Sequence, residues 1–309
     1  MTDPRNPSQP TKRRALLIAN PKAGQGSAEH RQQALIRFCE LLKDRGVDVE
    51  VRSTEGPRDA TRLAADAMRE GFREVIVSGG DGTINEALQG LVGTDVRLAV
   101  WPRGTANVLG RELRLPRQLP RLADIIATGN VQRVFAGCAT IESTGERRYF
   151  LLMAGIGIDA AIVDRVRPGL KKRVGKVAYW YSGLEHLARW RPKPFVLDID
   201  GQRHTATFAA LGKTPHYGGD LSITPRARLD HPHFEICLIH SVHRTRYLRL
   251  LPFAMFGGIP ERMKEISFMS ASHVRATGDG VLVQVDGELI GSLPMTFTVT
   301  PHVIELVTR

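Results

Sequence analysis

The segment Ser78-Gly79-Gly80-Asp81-Gly82-Thr83 constrains this chain more than any other. It separates the apolar run Glu74 to Val77 from an amphipathic stretch over Ile84 to Leu91, so the sequence predicts a strand, a glycine loop and a helix. Glycines let the backbone fold closely and turn successive N–H groups toward an anion. A helix starting there adds unpaired N–H groups and the positive end of its dipole. Thr83 offers a hydroxyl at the helix start. Taken alone, the loop leaves a second reading open: a tight turn at Gly79-Gly80, with Asp81 as a helix cap.

Two further segments favour the first reading. Ala15 to Ala19 is a continuous apolar run, the pattern of a strand covered on both faces, and Asn20-Pro21-Lys22-Ala23-Gly24 follows it. A helix is expected from Ala28, with Leu35, Phe38, Leu41 and Leu42 on one face and Gly46 as its stop. Val47 to Val51 alternates like a strand, and a helix from about Arg58 ends at Gly71. A strand at Arg97 to Val100 leads into Pro102-Arg103-Gly104-Thr105-Ala106-Asn107. Strands interleaved with helices imply a mainly parallel sheet, and loops after successive strands meet at one edge of it. The glycine loop is no Walker A motif, since no Gly-Lys-Ser/Thr follows. Gly155-x-Gly157-x-x-Ala160 matches a dinucleotide fingerprint only nominally, because it falls in a β-rich region without a suitable acidic partner.

After Gly129 the texture changes. Strand-like runs at Arg148 to Met153, Phe195 to Ile199, His204 to Ala210, Phe234 to His240, Val281 to Val285 and Met295 to Thr300 mostly lack intervening helices. Asp200-Gly201 is a hairpin signal, as is Asp286-Gly287. The second half therefore reads as an antiparallel β-sandwich or barrel with one or two inserted helices. The expected organisation is a flexible terminus over 1–11, an α/β nucleotide-binding domain over 12–137, and a β-sandwich domain over 138–309 whose last strand could return to the first domain. The 309 residues carry a net charge of +11, which suits an anionic partner. Three scattered cysteines point to a reducing compartment and exclude a disulfide framework. No His-Glu-x-x-His is present, and His231 and His233 lack neighbouring ligands for a metal. The apolar stretch Leu250 to Pro260 is too short to span a bilayer.

Together, Asn20-Pro21-Lys22-Ala23-Gly24, the segment from Ser78 to Glu86, Pro102 to Asn107, Gly155 to Ala160 and Val285-Asp286-Gly287-Glu288 resemble the bacterial diacylglycerol kinase and YegS-like lipid kinase family, related to sphingosine and ceramide kinases. The resemblance covers nearly the whole chain after residue 12. It implies an α/β domain joined to a β-sandwich, with ATP in the cleft between them and Mg²⁺ beside it. By motif, it implies that Asn20, Thr54, Gly79, Gly80, Asp81, Gly82, Thr83, Ile84, Asn85, Gly104, Thr105 and Asn107 serve the nucleotide site and that Asp81 holds the metal. Asp286 and Glu288 match the catalytic segment, in which a carboxylate takes the proton of a lipid hydroxyl. The implied setting is cytoplasmic, with peripheral contact at the inner membrane surface. The oligomeric state stays open, a homodimer included.

Two positions depart from the family pattern. Many bacterial members carry an acid where this chain has Val108, which cannot bind a cation. His231-Pro232 replaces the Asp-Gly found where some members bind a structural Mg²⁺, so that site is expected to be absent at Asp230. Two alternatives stay open: a kinase of a soluble substrate, of the NAD-kinase or phosphofructokinase type, and a non-catalytic lipid- or nucleotide-binding regulator. Nucleic acid is not expected, because no recognition fold is visible. Arg165 to Lys193 holds nine Lys or Arg and one Glu, interleaved with Tyr179, Trp180, Tyr181 and Trp190. Val174, Val177, Tyr181, Leu184 and Ala188 fall at helical spacing, so this stretch is either a solvated charged face or a contact with anionic lipid. Replacing Lys171, Lys172 and Arg173 by glutamate should weaken sedimentation with anionic vesicles by at least about tenfold while sparing ATP affinity.

Overall fold

The computed structural model describes residues 13–157, 192–217, 221–243, 245–247, 253 and 263–309. The first half consists of β1 (Arg13–Ala19), α1 (Ala28–Lys43), β2 (Val47–Ser53), α2 (Asp59–Arg69), β3 (Glu74–Gly79), α3 (Asp81–Leu91), β4 (Arg97–Pro102), α4 (Val108–Glu112) and α5 (Leu119–Thr128). The four strands pair in parallel in the order β2-β1-β3-β4. Successive side chains of a strand point to opposite faces, so an unbroken apolar strand needs cover on both. Leu16 and Ile18 pack with Leu63 of α2 and Leu88 of α3, while Leu17 packs with Phe38 and Leu42 of α1 and Ile126 of α5.

The second half comprises β5 (Val131–Ile141), β6 (Arg147–Phe150), β7 (Met153–Gly157), β8 (Phe195–Ile199), β9 (Gln202–Ala206), β10 (Phe208–Gly212), β11 (His216–Tyr217), β12 (Leu221–Ser222), β13 (Phe234–Ile239), β14 (Ile266–Ala271), β15 (His273–Thr277), β16 (Leu282–Val285), β17 (Glu288–Ser292) and β18 (Met295–Val307). One layer is antiparallel in the order β14-β13-β10-β7-β16-β17. The facing layer contains β6, β5, β18, β15, β8 and β9. Phe150, Phe195, Phe234 and Phe297 fill the space between the layers, with Phe150 and Phe234 stacked at a centroid distance of 5.7 Å. The fold is thus a mainly parallel α/β domain followed by an antiparallel β-sandwich. Strand β18 belongs to both: Met295 to Val299 pair with β5, and Leu306 pairs in parallel with Leu98 of β4.

Two runs that read as single strands are each broken. Arg148 to Met153 splits at Leu151-Leu152, between β6 in one layer and β7 in the other. His204 to Ala210 splits at Thr207, whose hydroxyl is buried against Ile239 O, Ser241 O and Tyr247 Oη while the chain changes layer. A hydroxyl that satisfies buried carbonyls lets the ladder stop there. Asp200 and Gly201 both have positive φ and close the β8–β9 hairpin. Gly155 and Gly157 lie within β7 rather than in a phosphate loop. Among the described residues no helix is long and apolar enough to cross a membrane. Ala160 and the basic segment up to residue 191 lie outside the described residues.

Helices α2 and α3 touch through Gly90. A Cβ at Gly90 would stand 2.3 Å from Thr61 O and 2.7 Å from Ala65 N, both main-chain atoms, and Thr61 Oγ1 donates to Glu86 O at 2.8 Å. This approach sets the tilt of the helix that begins at the glycine loop. Gly90→Ala gains about 1 kcal/mol of helix propensity but forces the helices apart. Against an overpacking cost of about 1–3 kcal/mol, that leaves an expected net loss of up to about 2 kcal/mol in urea unfolding.

Candidate active site

β3 ends at Gly79, Gly80 is extended with φ −90° and ψ 179°, and α3 starts at Asp81. The first intrahelical bond runs from Ile84 N to Gly80 O, so the N–H groups of Asp81, Gly82 and Thr83 have no partner within the helix. Neighbouring loops are tied to the same strand edge. Asn20 N donates to Ser78 O, Thr54 N to Ala19 O, and Arg103 N to Gly79 O at 2.7 Å. Backbone meets backbone at Gly104, where a Cβ would lie 2.7 Å from Gly80 Cα. Asn107, at φ 49°, brackets Gly104 by accepting its N–H at 2.6 Å and donating to its carbonyl at 2.8 Å. Gly82 and Thr105 are exposed, and nothing lies within 4 Å of the Cβ position of Gly82. The result is a cradle lined by N–H groups and open above Gly82.

The residues expected at the nucleotide site divide into distinct roles. Asn20 donates to Thr83 Oγ1 at 3.0 Å and accepts from Lys22 N, so these two side chains brace the loops against each other. The Ile84 side chain is core, 2% exposed among α2 and the sheet. Thr54 is half-buried at the end of β2. Asn85 is turned away from the cradle altogether. Arg103, absent from that set, stacks on Trp101 at 4.6 Å and roofs Gly24, whose glycine leaves it room. Burial and Arg31 hold the Arg103 pKa below its usual value.

Asp81 is the acid within this cradle. Its Oδ1 accepts from Leu109 N at 3.4 Å, over the start of α4. Burial raises its pKa, opposed by the N–H groups of Val108, Leu109 and Asn107. Val108 is 6% exposed and packs in the core. Among the described residues no group of three His, Cys, Asp or Glu could hold a metal. A single carboxylate nevertheless fits Mg²⁺, which commonly takes one or two carboxylates together with phosphate oxygens and water. At the loop expected to lack a structural metal, Arg228 holds Asp230 at 2.8 Å, and the buried Lys213 ammonium donates to the carbonyls of His231 and His233. Burial lowers Lys213 to about 8, against the pull of Asp230.

A second centre forms at the β16–β17 hairpin. Asp286 and Gly287 have φ of 48° and 83°, the paired positive values of a two-residue turn, so the hairpin and the site coincide. The Asp286 carboxylate accepts four hydrogen bonds. Leu152 N and Met153 N bond Oδ1 at 2.9 and 3.0 Å, while Leu151 N and Asn85 Nδ2 bond Oδ2 at 2.9 and 3.0 Å. Burial outweighs these donors and raises the pKa to about 6. Glu288 is exposed and paired with Arg148 at 2.6 Å. Asn85 therefore brings the phosphate-cradle helix to Asp286. Beside it, Gln89 binds both the N–H and the carbonyl of Tyr149. Gln89 has only its i+4 spacing from Asn85 as a sequence signal.

A cradle of helix-start N–H groups, tied through Asn85 to a carboxylate whose pKa burial raises to about 6, is an arrangement suited to a phosphotransferase. The comparisons agree with this class. Residues 14–139 match the diacylglycerol kinase catalytic domain, and residues 153–308 match the YegS C-terminal NAD kinase beta sandwich-like domain. A diacylglycerol kinase of Mycobacterium tuberculosis is 33% identical over 95% of this chain and 94% of its own. One from Staphylococcus carnosus is 28% identical over 96% and 95%. A crystal structure from Bacillus anthracis, provisionally named a diacylglycerol kinase, superposes with a TM-score of 0.78 at 25% identity, covering 97% of this chain and 99% of that one. The chain belongs to the YegS-like diacylglycerol kinase family. It is accordingly a lipid kinase, an enzyme that transfers phosphate to an alcohol. Gly104→Ala should push the β3 and β4 loops apart and raise the KM for the phosphoryl donor at least about tenfold, with a smaller change in kcat, in steady-state kinetics.

Proposed function

We propose that this enzyme transfers the γ-phosphoryl group of ATP to a hydroxyl of a membrane lipid, diacylglycerol-like or sphingoid-like, at an anionic membrane surface. The observation that carries this reading is helix α3: its first turn forms the phosphate cradle, and Asn85, one turn on, touches Asp286. ATP phosphates lie against the N–H groups of Asp81 to Thr83, with Gly79 and Gly80 allowing the close turn, Gly104, Thr105 and Asn107 closing the β4 side and Asn20 and Thr54 the other. Asp81 holds Mg²⁺, which when bound neutralises phosphate charge. Asp286 accepts the proton of the lipid hydroxyl as its oxygen bonds to the γ-phosphorus and the bond to the β–γ bridging oxygen breaks, releasing ADP. Glu288, paired with Arg148, lies at the rim of the same turn.

A lipid acceptor is favoured over a soluble one by the net charge of +11 and the basic, aromatic-rich segment over 165–193. The assay is radiolabelled ATP with vesicles containing diacylglycerol, phosphatidylglycerol, a sphingoid base or ceramide. Labelled lipid is expected; labelled NAD with every lipid silent would overturn the reading. Since Asp286 must be ionised to take a proton, kcat/KM should fall as the pH drops through about 6. Asp286→Asn should lower kcat by about 10²–10⁴-fold in the same assay, with folding checked by circular dichroism.

A further inference from the structure

Asp286 is anchored by three main-chain donors and one side chain. A carboxylate offers about four acceptor positions, and all are taken. The N–H groups of Leu151, Leu152 and Met153 cannot leave without moving the chain between β6 and β7. Asn85 Nδ2 can move by rotation. Oδ2 is therefore the oxygen able to free an acceptor position, and whatever orients Asn85 governs it.

That orientation is traceable atom by atom. Gln89 meets Tyr149 as a neighbouring strand would: Tyr149 N donates to Oε1 at 2.9 Å, and Nε2 donates to Tyr149 O at 2.9 Å. Only one orientation of the Gln89 amide satisfies both. With one hydrogen of Nε2 on Tyr149 O, the other is shared between Asn85 O at 2.9 Å and Asn85 Oδ1 at 3.1 Å. Asn85 Oδ1 must then face Gln89, and Asn85 Nδ2 must face Tyr149 O at 3.0 Å and Asp286 Oδ2 at 3.0 Å. A flipped Asn85 would set its oxygen against both of those acceptors. Asn85 is 4% exposed, so water cannot easily replace a lost partner.

We infer that Gln89 is a positioning residue for phosphoryl transfer: through Asn85 it fixes the donor on Asp286 Oδ2 and so registers the acceptor-side carboxylate with the phosphate cradle on the same helix. The inference rests on the proposed role of Asp286. The charged groups on the surrounding elements are Asp81 and Glu86 on α3, Arg147 and Arg148 on β6, and Glu288 on β17, with Arg148 and Glu288 paired to each other. None of them hydrogen-bonds Asp286.

The test is an NMR titration of full-length protein labelled with ¹³Cγ-aspartate, in which the Asp286 signal is assigned by its loss in Asp286→Asn. Removing a donor from the ionised carboxylate should move its midpoint up by about half a pH unit or more in both Asn85→Ala and Gln89→Leu. In the double variant the midpoint should go no higher than in Asn85→Ala, because Gln89 acts through Asn85. The acid limb of kcat/KM should shift with it. An unmoved midpoint in folded Gln89→Leu, or additive shifts in the double variant, overturns the inference. Should Gln89→Leu fail to fold, Gln89→Met keeps the side-chain length and decides by the same criterion. The titration needs no turnover, so an inactive wild type would refute the lipid-kinase reading without deciding this one.

Discussion

The junction between the two layers of the sandwich depends on one carboxylate. Between β6 and β7 the chain leaves one sheet for the other, and three successive N–H groups, those of Leu151, Leu152 and Met153, lose their place in a ladder. Each would cost about 1–3 kcal/mol if buried unpaired. Asp286 takes all three, and its own N–H returns a bond to Met153 O at 3.0 Å. The β16–β17 hairpin is thereby fastened to the point where the chain crosses over. The same interaction carries a penalty. A carboxyl whose folded pKa stands near 6, above the ordinary value of 3.8, binds its proton more tightly in the folded protein. Its contribution to stability is fully present below about pH 4, is lost as the pH rises through 6, and is gone at neutrality. The proposed role of Asp286 as proton acceptor would account for a carboxylate held at this cost.

Helix α3 turns that local fastening into long-range geometry. Its start is fixed by the strand-to-helix turn at Gly80, its side by the close approach to α2 at Gly90, and its outer face by Gln89 and Asn85 against Tyr149 and Asp286. A helix rises about 5.4 Å per turn, so cradle and carboxylate are held at a spacing that neither domain sets alone. β18 provides the second tie, since one continuous strand pairs with β5 along its length and with β4 near its end.

Much of this was legible in the sequence because it rests on local rules. Apolar runs ending in glycine-bearing polar segments located β1, β3 and β4 and their convergent loops, and Asp-Gly pairs located two hairpins. Events decided by distant partners were not legible. The run from Arg148 to Met153 looks like one strand until a residue more than a hundred positions later claims its N–H groups. Thr207 breaks another run for the same kind of reason, through Ser241 and Tyr247. Helix α5 carries a proline in its first turn and ends at Gly129 in the left-handed region, signals that periodicity alone does not weigh. Asn85 matched a nucleotide motif in sequence, yet its amide is spent on Asp286 and Tyr149. Motifs assign residues to a site more reliably than they assign atoms to partners.

Val108 shows the reverse relation, in which packing dictates chemistry. It begins α4 and lies in the core with Leu109 and Leu113, at a position where the family resemblance leads one to expect an acid. An apolar residue there strengthens the seat of α4, and the N–H groups at that helix start bear on Asp81. Asp81 is thus both the cap that holds the β4 loop and the carboxylate available to a cation. A divalent ion bound with so few protein ligands takes most of its coordination from phosphate oxygens and water. On the proposed reading, nucleotide and metal would complete each other's coordination at Asp81, and the protein's part would be to hold the cradle in shape for both.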